Sequence, residues 1–236
     1  KPLDDAEASQ ELRFFCPCSR ERSKAALLLL GRNELTDMRD KDGGAELTCH
    51  FCNIDDIRTA AKLGVVDGIT TNPSLVAKEG VQYKDRILEI AEVIDGPLSA
   101  ECVSLEISEL CEEARRVASW HPNVVVKIPM GKVGLEAIST LSSEGIKINC
   151  TLIFSVNQAF LAAKAGATFV SPFIGRLNDG GADGMILIRE CATIFNNYPE
   201  ISTEILAASI RGPRDVTDVA LAGAHVATIP PNVLAQ

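Results

Sequence analysis

Lys127 stands inside Val124-Val125-Val126-Lys127-Ile128-Pro129-Met130, a run otherwise apolar and rich in β-branched residues. Such a run reads as a strand buried on both faces of a parallel sheet. Burying an ammonium there costs several kcal/mol unless the group is paired or gives up its proton. An ordinary lysine, with a pKa near ~10.4, is neutral in only about one molecule in 2,500 at pH 7. A dry setting favours the neutral amine that a Schiff-base nucleophile needs. The alternative is a strand-end lysine that snorkels to water. Other polar groups fall at comparable places. Glu101 follows Leu98-Ser99-Ala100 and has the alternative of a strand-end salt bridge. Asn149 lies within an apolar strand, where a buried amide needs partners. Thr151 and Ser171 read by themselves as ordinary strand residues, and Asn72 before Pro73 as a loop starter. Arg176, Ser209 and Arg211 lie at the ends of later apolar runs, where a single surface arginine is usually just solvated. A second set is metal-like. Cys16 and Cys18 form a C-x-C, Cys49 and Cys52 a C-x-x-C, together the four thiolates of a tetrahedral structural zinc. Unligated thiols are the alternative.

The elements that must position these groups follow a pattern. Residues 53–236 alternate short apolar strands, expected at 68–72, 98–103, 124–130, 147–154, 169–175, 204–210 and 225–230, with helical patterns at 54–63, 83–94, 109–121, 133–144, 156–165, 183–198 and 214–222. That alternation means a parallel sheet. Seven strands and seven helices are one unit short of a closed (β/α)8 barrel. A first strand is expected before residue 54, where Leu47-Thr48-Cys49-His50-Phe51-Cys52 alternates acceptably but is atypical. Only five residues follow Pro231, too few for a full closing helix. Residues 1–52 are polar and charge-rich and read as a separate small module. The whole chain has 236 residues, 46% of them hydrophobic, and a net charge of −9. No basic stripe marks a nucleic-acid binder. The opening Lys1-Pro2-Leu3-Asp4-Asp5 has no apolar core like that of a signal peptide, and the run 25–30 is too short to span a bilayer. Reduced thiols fit a cytoplasmic protein with no membrane partner.

Residues 53–236 resemble the small bacterial transaldolases and fructose-6-phosphate aldolases. The resemblance rests on Asp67-Gly68-Ile69-Thr70-Thr71-Asn72-Pro73-Ser74, Ser99-Ala100-Glu101, Val125-Val126-Lys127-Ile128-Pro129, the block 144–152, the block 165–176 and Ala207-Ala208-Ser209-Ile210-Arg211. It implies a TIM barrel with its groups at the carboxyl ends of strands. It also implies that Lys127 forms a Schiff base with a ketose phosphate such as fructose 6-phosphate. Glu101 would move protons through a water held by Thr151. Asn72, Asn149 and Ser171 would bind the three-carbon unit, and Arg176, Ser209 and Arg211 the phosphate. No cofactor is implied for catalysis, and a homo-oligomer is. Among these enzymes the aldolases carry glutamine in place of Glu101 and tyrosine in place of Phe173, so this chain sides with the transaldolases. They also carry an aspartate three residues before Asn53, where this chain has His50. The resemblance therefore implies that imine formation survives better than bond cleavage.

Residues 1–53 resemble the C-terminal zinc redox switch of the thirty-three-kilodalton heat-shock chaperonin. The match lies in Phe15-Cys16-Pro17-Cys18-Ser19-Arg20-Glu21-Arg22, Ala26-Leu27-Leu28-Leu29-Leu30-Gly31, Asp42-Gly43-Gly44-Ala45-Glu46 and Cys49-His50-Phe51-Cys52-Asn53. It implies zinc on Cys16, Cys18, Cys49 and Cys52, released as each pair oxidises to a disulfide. The larger substrate-holding domain of that chaperonin is absent from this sequence. The change of resemblance at Asn53 is abrupt. Recombination, design and a fault in sequence assembly are the three origins of such a joint.

Overall fold

The computed structural model describes residues 53–235. The expected zinc module of residues 1–52, with Cys16, Cys18, Cys49 and Cys52, and the expected atypical first strand at 47–52, with His50, lie outside the described residues. The described chain alternates strand and helix, with an extra short helix after β1 and after β5. It runs α1 (Ile54–Ala61), β1 (Ile69–Thr70), α2 (Pro73–Lys78), α3 (Tyr83–Ala91), β2 (Leu98–Glu101), α4 (Ile107–Ala118), β3 (Val124–Pro129) and α5 (Lys132–Ser143). It continues with β4 (Ile148–Ile153), α6 (Val156–Lys164), β5 (Phe169–Pro172), α7 (Ile174–Asp179), α8 (Gly184–Asn197), β6 (Glu204–Ala207), α9 (Pro213–Leu221), β7 (Val226–Ala227) and α10 (Pro231–Leu234). The strands form one sheet in sequential order, β1 to β7, every pair parallel. This is the order of a (β/α)8 barrel with seven of its strands described. The four-residue α10 stands where a closing helix would lie.

Side-chain alternation sorts the sheet into two faces. On β3, Val124, Val126 and Ile128 join the large cluster under the helices. Val125 faces the other way and packs with Phe169 of β5 and Leu206 of β6 in a separate small cluster. That cluster plugs the interior, as layered side chains do in barrels of this kind. The helices answer with apolar stripes at helical spacing. Leu110, Cys111, Ala114 and Val117 are buried on α4, and Ala137, Ile138 and Leu141 on α5. The two helices are also tied by Arg115, which donates to Glu144 at 2.8 and 2.7 Å in a forked, solvent-exposed pair. No helix among the described residues is long and apolar enough to cross a membrane.

All seven strands are shorter than the pattern predicts, and two of them are cut by a helix that the pattern did not show. The strand expected at 68–72 ends at Thr70 because Asn72 turns its side chain onto the amide of Ser74 and caps α2, with Pro73 in the first turn. The strand expected at 169–175 ends at Pro172, and α7 begins two residues on. Both α2 and α7 are six residues long, too brief to carry a periodicity.

Cys102, Cys111, Cys150 and Cys191 are free and buried in the helix-facing core. Burial pushes the Cys150 and Cys191 thiols up to about 12 and raises those of Cys102 and Cys111. These four thiols are expected to escape iodoacetamide at pH 8 in the native protein and to react after denaturation, read by peptide mass. Once exposed they ionise near pH 9.0. The folded state keeps these protons above that pH while the unfolded state releases them, so stability falls as pH rises beyond about 9. A urea midpoint that does not decline between pH 8 and 10.5 would contradict this.

Candidate active site

The inward face carries a polar row just above the apolar plug. Glu101, Lys127 and Asn149 are register partners on β2, β3 and β4. The Lys127 ammonium lies 3.0 Å from Glu101 Oε2, with the two side chains only 13% and 15% exposed. It also donates to the Thr71 carbonyl at 3.4 Å. Asn72, at the end of β1, donates its amide to the same Glu101 oxygen at 3.1 Å. The lysine thus meets the cost of burial by pairing, one of the two solutions the sequence left open.

Asn149 is fully buried and satisfied. Its amide donates to Ser99 Oγ at 3.1 Å, and its carbonyl oxygen accepts from Ser171 Oγ at 2.7 Å. Three strands are thereby linked by side chains inside the barrel. Thr151 lies two residues further along β4 on the same face. It is 1% exposed, and its hydroxyl has no hydrogen-bond partner among the described residues. Just past it, Leu152 takes φ 60°, a left-handed conformation that costs a non-glycine residue about 1–3 kcal/mol. The β4–β5 register shifts between Cys150 and Ile153. A bent, strained strand end beside an unsatisfied hydroxyl is a combination found at functional sites.

The remaining predicted residues form a second cluster. Phe173 pairs with Ala208 in an isolated bridge, drawing the ends of β5 and β6 together. Gly175 sits so close to the next loop that a Cβ there would meet Ser209 O at 2.0 Å and Arg211 Nε at 2.8 Å. Only glycine permits that approach. Ser209 itself is at φ 65°. Arg211 pairs with Asp179 at 2.9 Å, and Arg176, exposed, lies 5.0 Å over the Phe173 ring. Phe173 in turn meets Phe154 at a centroid distance of 5.8 Å. Ser209, Arg211 and the Gly175–Arg176 segment are therefore one surface at the carboxyl ends of β5 and β6, with guanidinium forks suited to an anion.

The sequence reading missed Thr71, Ser99 and Tyr83. Tyr83 Oη accepts from the Glu101 amide at 2.7 Å and bonds Thr71 Oγ1 at 2.8 Å. Its only sequence signal is rarity, one of two tyrosines in the chain. Among the described residues no group of three or more His, Cys, Asp or Glu side chains is arranged to hold a metal.

Parallel strands in sequential order, with their polar groups gathered at the carboxyl ends, define a barrel enzyme. The transaldolase/fructose-6-phosphate aldolase family model matches residues 47–236, and the chain belongs to that family. A probable transaldolase of Herpetosiphon aurantiacus is 59% identical over 184 residues, 78% of this chain and 83% of that protein. One of Caldicellulosiruptor saccharolyticus is 57% identical, over 78% of this chain and 85% of its own. One of Carboxydothermus hydrogenoformans is 53% identical, over 81% and 89%. The Hsp33 protein family model matches residues 5–55, overlapping the first at 47–55. Among solved structures, a mandelate oxidase variant shares the fold alone, with a TM-score of 0.51 and 16% identity over 75% of this chain. This chain spans 59% of that structure's length.

The two buried side chains of β4 should respond oppositely to removal of their polar groups. Asn149→Ala strips both serines of a partner and is expected to cost about 2–4 kcal/mol in urea unfolding. Thr151→Val removes a hydroxyl with no protein partner and keeps the shape, so it is expected to be neutral or to stabilise by up to ~1 kcal/mol. Equal losses in the two variants would show that the Thr151 hydroxyl is satisfied after all.

Proposed function

We propose that this chain transfers a three-carbon dihydroxyacetone unit from a ketose phosphate such as fructose 6-phosphate to an aldose phosphate such as erythrose 4-phosphate. The transfer runs through a Schiff base on Lys127. One observation carries the reading: the Lys127 amine lies inside the barrel, 3.0 Å from the Glu101 carboxylate, at the carboxyl ends of adjacent strands. In this scheme a water relays to Glu101 the one ammonium proton that neither Glu101 Oε2 nor the Thr71 carbonyl accepts, and the lone pair so freed attacks the ketone carbon. The carbinolamine hydroxyl leaves as water after protonation by way of Glu101, giving an iminium. A water held by the Thr151 hydroxyl relays these protons, which accounts for a buried hydroxyl with no protein partner. As the carbon–carbon bond breaks, its electron pair flows into the iminium. The leaving aldose phosphate gives up its hydroxyl proton to water, and an enamine remains on Lys127. The enamine attacks the acceptor aldehyde, and water releases the new ketose phosphate. Asn72 and Asn149 bind the hydroxyls of the three-carbon unit, with Ser171 fixing Asn149. Arg176, Ser209 and Arg211 receive the phosphate. Arg211 then exchanges Asp179 for a dianion, a stronger partner for a guanidinium. No cofactor enters the scheme. Sugar phosphates, a cytoplasmic setting and a homo-oligomer belong to the same proposal.

A second reading concerns residues 1–52 and is favoured by the Hsp33 match. We propose that Cys16, Cys18, Cys49 and Cys52 hold one structural zinc. Four thiolates in C-x-C and C-x-x-C are a chemically complete set for that ion. Metal analysis is expected to give about one zinc per chain, released by peroxide. A zinc-free protein purified under reducing conditions would remove this reading without touching the first.

Borohydride with fructose 6-phosphate is expected to add a sugar-derived mass to Lys127 and none in Lys127→Ala. No adduct in the unaltered protein, or the same adduct in the variant, rejects the Schiff base. His50 stands where the related enzymes carry the aspartate that serves bond cleavage. Turnover should therefore lag trapping by ~100-fold or more, the usual contribution of a general acid–base group. Turnover as fast as trapping would show that another group does this work.

A further inference from the structure

The β1–β2 ladder breaks at one particular bond. Ile69 N–H donates to Pro97 O and Thr71 N–H to Ser99 O. In a regular parallel ladder the next donor is the Glu101 amide, and its acceptor is the Thr71 carbonyl. That bond is replaced. The Glu101 amide donates to Tyr83 Oη at 2.7 Å. The Thr71 carbonyl, released from the ladder, accepts from Lys127 Nζ instead.

The direction of the chain of bonds follows from proton counting. Thr71 Oγ1 spends its one proton on Ser99 O at 2.8 Å. Tyr83 must therefore donate to Thr71 Oγ1, and its oxygen is left to accept from Glu101. The bonds run Glu101 N–H to Tyr83, Tyr83 O–H to Thr71, Thr71 O–H to Ser99, each donor polarised by the one before it. The ring is held from the side by Trp120, edge-on at a centroid distance of 5.6 Å.

We propose that Tyr83 is a positioning residue for the Lys127 amine. The inference rests on the Schiff-base reading above. A neutral amine on an sp3 nitrogen has two N–H bonds and one lone pair. With one N–H on Glu101 Oε2 and the other on Thr71 O, the lone pair is fixed in the remaining tetrahedral direction. It is then presented to an incoming ketone carbon rather than turned toward a protein acceptor. The Tyr83 hydroxyl makes this possible by taking the amide that would otherwise occupy the Thr71 carbonyl. Tyr83 touches no reacting atom and acts through Thr71 and Glu101.

Tyr83→Phe tests this, with Trp120→Phe as the packing control. In a crystal structure of Tyr83→Phe the Glu101 amide is expected to close on the Thr71 carbonyl to about 3.0 Å, with Lys127 Nζ moved off it. The first-order rate of borohydride trapping at saturating fructose 6-phosphate should fall ~10-fold, as mis-aimed groups cost rate more than binding. The half-saturating sugar concentration should stay within about twofold. Trp120→Phe should lower the melting temperature and leave the trapping rate within about twofold. Three results overturn the proposal. They are an unchanged trapping rate in Tyr83→Phe, an unchanged Lys127–Thr71 contact in its structure, and equal slowing in the two variants, which would mark simple loosening. If the unaltered protein forms no adduct at all, the Schiff-base reading fails separately. The crystal structure then still decides whether Tyr83 sets the Thr71 carbonyl.

Discussion

A lysine ammonium and a glutamate carboxylate, 3.0 Å apart and mostly out of water, are the constraint around which this barrel is arranged. At an effective dielectric near 20 their attraction at this separation is worth roughly 5 kcal/mol. Desolvating two such ions costs several kcal/mol each. The pair therefore adds little to stability and needs help to exist. The help is visible in the Asn72 amide on Glu101 and the Thr71 carbonyl on Lys127. A polar arrangement with so little return in stability is better accounted for by chemistry than by folding.

The interior above the apolar plug divides into satisfied and unsatisfied groups. Ser99, Asn149 and Ser171 answer one another across three strands, and such closed networks stiffen a barrel. Thr151 does not join them, although it is as buried as they are. The arginines show the same division at the surface. Among the described residues Arg115 is locked by two short bonds to Glu144, whereas the side chain of Arg176 makes a ring contact and that of Arg211 one ion pair.

Much of the frame was legible because parallel strands covered on both faces must be continuously apolar, and one charge inside such a run is conspicuous. Lys127, Glu101, Asn72 and Asn149 were found for that reason or by likeness of short blocks, and the structure brings them into one connected row. What escaped notice depends on contacts distant in sequence. Tyr83 begins a helix, and nothing local reveals that its hydroxyl reaches Glu101, eighteen positions away. The cap at Asn72 was read as a loop because α2 is too short for a periodic signal. The intimacy of Gly175 with Ser209 and Arg211 comes from the pairing of β5 with β6, which no single run of residues encodes.

Residues 47–55 are claimed by both family models, and physics does not let the two uses coexist. A strand sends the side chains of Cys49 and Cys52 to opposite faces, whereas a metal knuckle brings them to one point. The same stretch carries His50 at the position where the related enzymes have an aspartate. The groups assigned to imine formation, by contrast, come from β1 to β4: Asn72 and Thr71, Glu101, Lys127 and Asn149, and Thr151. They are held together by bonds that involve no residue before 53. The two halves of the proposed reaction thus depend on different parts of the chain. Making the imine, in this proposal, draws on groups that lie within the described barrel. Breaking the carbon–carbon bond, in this proposal, depends on position 50, inside the stretch that both family models claim.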